Sequence, residues 1–168
     1  MKDVTTLKGL MIVHLQSLYD AENKWAQALK EESRLLKSTE LQHLFEKGSR
    51  VAEAHAGKLK KILTDLGQST LAKKNHVAAD LIRELNEMQD TAADAEVLDA
   101  AVIVTHQCMN HYLIAKYGTA ASYARLLLEE DIAGVLHKIV EEEKAEDEQL
   151  TRLAEDKINI KAKASLIL

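Results

Sequence analysis

Four long stretches of this chain repeat apolar side chains at spacings of three and four residues, and no proline interrupts any of them. That spacing is the helical period, and proline is the residue that most reliably ends a helix. Only six glycines punctuate the 168 residues, and Ala, Leu, Glu and Lys are abundant. Such a chain is constrained to an all-α fold around one substantial core.

The first helix is expected over 4–36, with Leu7, Met11, Leu15, Leu18, Trp25 and Leu29 on one face. His14 and Glu22 fall in the same sector. After a break near Lys37, Ser38 or Thr39 caps a second helix, with Gln42 as a capping-box partner. Its face is Leu41, Leu44, Gly48, Val51, His55, Leu59, Ile62 and Leu66, and Gly67 stops it. About 28 residues then separate it from the next long helix, too many for a hairpin turn, so they form a crossover with its own short helix over 77–88.

The third long helix, 96–128, presents Val97, Ala100, Val104, Cys108, Ala115, Ser122 and Leu126, with His111 among them. Leu98, Val102, Met109 and Leu113 form a second line on its other side. The chain turns near Glu130 and Asp131, and the fourth helix runs over 132–157, leaving 158–168 as a tail. Two tight hairpins separated by a long crossover describe a ferritin-like four-helix bundle spanning 1–157. The second apolar line needs a cover. Leu81, Ile82 and Leu85 of the crossover helix are expected to supply part of it, and a twofold-related subunit the rest, making a homodimer.

Charge excludes some functions. The net charge of -5 is spread along the chain, which argues against nucleic-acid binding. One cysteine allows no internal disulfide, the start has no basic-then-apolar leader, and no apolar run reaches membrane length. A cytoplasmic protein with no membrane partner is expected.

The chemistry lies in polar residues on apolar faces. In Ile139–Leu150, Glu143 and Asp147 share the stripe of Leu136, Ile139, Val140 and Leu150, whereas Glu141, Glu142 and Glu148 read as solvated. A buried carboxylate needs a proton, a cation or a metal opposite it. Counting from the end where the first hairpin turns, at 1.5 Å per residue, puts Glu22, His55, His111 and Glu143 within about 5 Å of one level, with Asp147 a turn lower. Glu22, His55, His111, Glu143 and Asp147 are therefore the candidate metal ligands. Trp25, Tyr112 and Cys108 read as packing residues, and Glu40 with His43 as surface despite their Glu-x-x-His spacing.

Leu18-Tyr-Asp-Ala-Glu22, His111-Tyr112 with Ile114-Ala115 and Tyr117-Gly-Thr119, and Glu141-Glu-Glu-Lys-Ala-Glu-Asp147 with Leu150 occur in order. Together they resemble the YciE/YciF-like branch of the ferritin-like superfamily, bacterial stress-associated proteins without an established activity. The resemblance implies a ferritin-like bundle, a tendency to dimerise and a di-metal carboxylate site. This chain departs from that pattern. It has Arg50, Val51, Asn110 and Leu113 where the family favours acids, and both Glu-x-x-His pairs are broken, at Ala52 before His55 and at Glu146 after Glu143.

Two readings follow. In the first, the chain is a stress-associated protein holding one or two Fe or Mn ions that react with a small-molecule substrate the sequence does not identify. In the second, it is a metal-free helical dimer or scaffold with a vestigial site. For a metal-free cluster, histidines that depress the acids' pKa values would make stability fall as pH drops. Dominant burial would reverse that sign.

Overall fold

The computed structural model of the chain describes residues 4–71 and 73–164. Four long helices and two short ones make up the fold: α1 (Leu7–Glu32), α2 (Thr39–Asp65), α3 (His76–Thr91), α4 (Ala95–Leu126), α5 (Glu130–Leu153) and α6 (Asn159–Ala164). A single π-helical turn, Ala154–Ile158, joins the last two. The all-helical reading is borne out over the described residues.

Local chemistry sets the boundaries. Thr6 caps α1 and Ser38 caps α2, each side-chain oxygen accepting from a first-turn amide. Gln42 does not close a capping box; it donates to the Leu36 carbonyl at 2.6 Å and ties down the preceding turn. Gly67 ends α2 with a φ of +67°, a conformation that costs glycine little. The turn before α5 comes at Leu127–Glu129, earlier than expected, with Leu128 at a φ of +61°. No sequence signal marks it, because glycine or asparagine is the usual residue there.

α1 packs along α2, and α4 along α5, as two antiparallel hairpins, whereas α2 and α5 meet only sparsely. The crossover carries α3, seated on α4 and α1 through Ala78 and Leu85. Helix continues past α5 beyond the expected end of the bundle, and Ile158 is buried in the core. Of the expected tail, 165–168 lies outside the described residues.

One face is corrected. α4 turns Val102, Ile103, Met109, Leu113, Tyr117, Ala120 and Ala124 inward, whereas Val104, Cys108 and Leu126 are exposed. The line expected to need an outside cover is thus part of the core. It gives no reason for a second subunit. The other faces agree more closely: Trp25 is buried, Tyr112 half-buried, and Glu40 and His43 are on the surface.

Candidate metal centre

Glu22 enters from the middle of α1, His55 from α2 and Glu143 from α5. All three side chains are buried, Glu143 being 4% exposed and the other two wholly enclosed. His55 Nδ1 lies 3.3 Å from Glu22 Oε1 and 3.2 Å from Glu143 Oε1. One donor atom from each residue lies within 4.8 Å of the others. The common level expected for these three is borne out.

The opposite edge of the imidazole fixes its chemistry. His55 Nε2 is 2.7 Å from Glu142 Oε2, and Lys58 Nζ reaches the same oxygen at 3.1 Å. With Nε2 carrying the proton toward Glu142, Nδ1 is left as the nitrogen between the two buried carboxylates. Neither carboxylate is aligned with Nδ1 as a hydrogen bond, and Glu22 Oε2 has no partner. A bare lone pair facing two anions is repulsive, so a proton or a cation belongs there. Tyr117 completes the cluster, donating its hydroxyl to Glu22 Oε1 at 2.6 Å. Burial and the Glu22 carboxylate push the phenol well above its ordinary pKa, so it remains a donor.

The other two candidates do not join the triad. His111 is on the outer side of α4 with its side chain 69% exposed, and its Nε2 meets Asp147 Oδ2 at 3.4 Å. The reason is the rotation of α4, which brings His106 inward instead, five residues earlier. Asp147 is partly covered, with Oδ1 buried and unbonded. His14 is half-buried elsewhere on α1, with Nδ1 beside the Lys116 ammonium at 2.5 Å.

Sequence reasoning missed Glu142, Tyr117 and His106. Glu142 reads as one acid in a solvated run, yet it is only 34% exposed and covers His55. A cleft of about 370 Å³ between α2 and α5, lined by Lys47, Val51, Ala54, Lys58, Glu142 and Glu146, reaches the His55 side chain.

Protons have a clear preference here. Burial works against charge on His55, but Glu143 and Glu22 outweigh it and raise its pKa from 6.5 to about 10. Burial, with help from Glu22, raises Glu143 from 4.5 to about 8 against the pull of His55. Both groups therefore hold a proton more tightly in the folded chain. His55 contributes stability that is complete below pH 6.5 and lost as pH rises toward 10. Glu143 contributes likewise below 4.5, lost as pH rises toward 8. The acid-sensitive sign expected from histidine pairing is thus reversed for Glu143, because its burial dominates. The melting temperature of chelator-treated protein is expected to fall between pH 5.5 and 9.5 as both contributions are lost. A melting temperature that climbs over that range would refute this ordering.

The chain matches the family model described as a domain of unknown function, DUF892, over residues 6–163. It is 31% identical to protein YciF of Escherichia coli K12 over 161 residues, covering 95% of this chain and 97% of that protein. The crystal structure of that stress protein superposes with a TM-score of 0.87 at 30% identity, over 92% of this chain and 98% of the other. YcfI of Rhodopseudomonas palustris superposes with a TM-score of 0.85 at 29% identity, over 89% and 96% of the two chains. No helix among the described residues is long and apolar enough to cross a membrane. The family-model match and the 31% identity over nearly the whole length place this chain in the DUF892 family, among the YciE/YciF-like proteins.

Proposed function

We propose that this protein is a ferritin-like, stress-associated metalloprotein that binds Fe or Mn between Glu22, His55 and Glu143. The observation that carries the reading is the Nδ1 edge of His55, turned between two buried carboxylates. Two ligand atoms bonded to one ion at about 2.1 Å lie about 3.0–3.6 Å apart for ligand angles of 90–120°. The separations of 3.2 and 3.3 Å at Nδ1 fall within that range. Imidazole with carboxylates suits Fe or Mn better than Mg or Ca.

Glu22 and Glu143 would supply anionic oxygens and His55 its Nδ1. Glu142 would orient the imidazole from behind by accepting from Nε2, and Tyr117 would fix the rotamer of Glu22. A bound Fe or Mn ion would supply redox chemistry toward peroxide or dioxygen at its open coordination positions. The cleft between α2 and α5 reaches the His55 side chain from the surface.

A second reading, a metal-free scaffold, is favoured by the same groups in another state. A protonated His55 between Glu22, Glu142 and Glu143 satisfies the charges with no ion. Metal titration separates the two. Chelator-treated protein is expected to take up Mn or Fe stoichiometrically and to release at least one proton per ion near pH 7.5, because the ion displaces the proton at Nδ1. Calorimetry in two buffers of different ionisation enthalpy measures that release. Absence of stoichiometric uptake leaves the scaffold reading.

A further inference from the structure

α4 and α5 enclose a second polar position that the triad does not use. His106 is wholly buried on α4, its ring edge-on to Trp25 at 5.2 Å and to Phe45 at 4.8 Å between centroids. Neither ring nitrogen makes a hydrogen bond. Asn110 follows one helical turn later on the same face, also wholly buried, with both Oδ1 and Nδ2 unbonded. Two enclosed side chains thus leave four hydrogen-bonding atoms without partners, where native cores leave few.

Across from His106 is Glu146, 13% exposed, with Oε2 3.6 Å from His106 Nε2. Its other oxygen rests on Gly48 of α2, where a Cβ would come within 2.5 Å of it. The missing side chain at Gly48 makes room for this carboxylate. At 3.6 Å the imidazole and the carboxylate are too far apart for a hydrogen bond and too close for a water in line between them. That spacing does fit two ligands of one ion, at the wide end of the usual range.

We propose that His106 Nε2, Glu146 and Asn110 Oδ1 form a second cation site for a divalent transition-metal ion. The imidazole excludes magnesium and calcium as the preferred occupants, and the single carboxylate with a neutral amide suits an N/O-binding ion such as Co, Zn, Mn or Fe. Occupancy of this site does not depend on the Glu22–His55–Glu143 site being filled. Glu146 stands at the second position of the broken Glu-x-x-His pair and Asn110 where the family favours an acid, whereas His106 belongs to no such pair. His106 is on α4, and its acid partner comes from α5.

Equilibrium dialysis of Co²⁺ against the chelator-treated full-length chain, with elemental analysis and visible absorption, provides the test. Wild type is expected to hold two ions per chain. Glu146→Gln keeps the shape but removes the charge, and is expected to weaken one ion at least 100-fold and leave the other. His55→Gln is expected to remove the other ion only. A wild-type ratio of one, lost in His55→Gln and unaffected by Glu146→Gln, overturns this inference and leaves the triad standing. A single ion that survives His55→Gln and is lost in Glu146→Gln supports it and removes the triad. No ion in wild type overturns both. Asn110→Leu provides an arm that folds even if Glu146→Gln does not. Without its ligand a buried amide is a liability, so this variant is expected to raise the metal-free melting temperature by about 2–6 °C and to weaken the same ion at least tenfold. An unaltered affinity there, like one in Glu146→Gln, counts against the site.

Discussion

Met109→Glu is expected to prevent folding, whereas Val104→Glu, on the same helix, leaves the melting temperature within about 2 °C of wild type. The two sites are five residues apart on α4 and face opposite ways. Met109 has no exposure and Val104 is 59% exposed. An ionised carboxylate at the Met109 position would have no partner, and burying it or holding it neutral costs upward of about 5 kcal/mol. That is comparable with the whole stability of an ordinary domain. Circular dichroism and thermal melts of both variants provide the measurement. A folded Met109→Glu together with a destabilised Val104→Glu would mean that α4 is rotated from the orientation described.

Replacing His55 with leucine is expected to lower the stability of the metal-free chain by about 3–5 kcal/mol at pH 5, and by less at pH 8. The asymmetry follows from wild type, whose own His55 contribution fades as pH rises from 6.5 toward 10. In the variant, Glu22 and Glu143 would face each other in the core with no cation between them, and Tyr117 can donate only to Glu22. The leucine also removes the only imidazole of the triad, so metal uptake by Glu22 and Glu143 should vanish with it. Urea unfolding at both pH values, with chelator present, measures the first effect. Equal stability of variant and wild type at pH 5 would show that His55 is not the counter-charge.

The difference between His55 and His111 shows what the pattern of residues can carry. α2 has one broad apolar face, so its single interior histidine could be placed from spacing alone, and it meets Glu22 and Glu143 as the residue count implied. α4 is apolar on more than one side. Val104, Ala115 and Leu126 suggested one face, while Val102, Met109 and Leu113 suggested the other. Only the second continues inward through Tyr117, Ala120 and Ala124 to the end of the helix. His111 falls with the first line and is exposed, and His106 is the interior histidine. The spacing His106, Asn110, Leu113, Tyr117 was a usable signal, because it steps by four, three and four residues. Glu142 left no such trace. Its place over His55 depends on how α5 meets α2, and periodicity within one helix does not contain that.

The sparse meeting of α2 and α5 has a consequence for assembly. Glu22 and His55 belong to the first hairpin, while Glu143 and Glu146 belong to the second. During synthesis the first hairpin emerges with two donors and nothing to close them, and Glu143 arrives only with α5. An ion held by all three would act as a staple across the seam where helix packing is thinnest. The work of prying the hairpins apart would then rise with the ion's own binding free energy. Occupancy would be a statement that both halves had been made and docked.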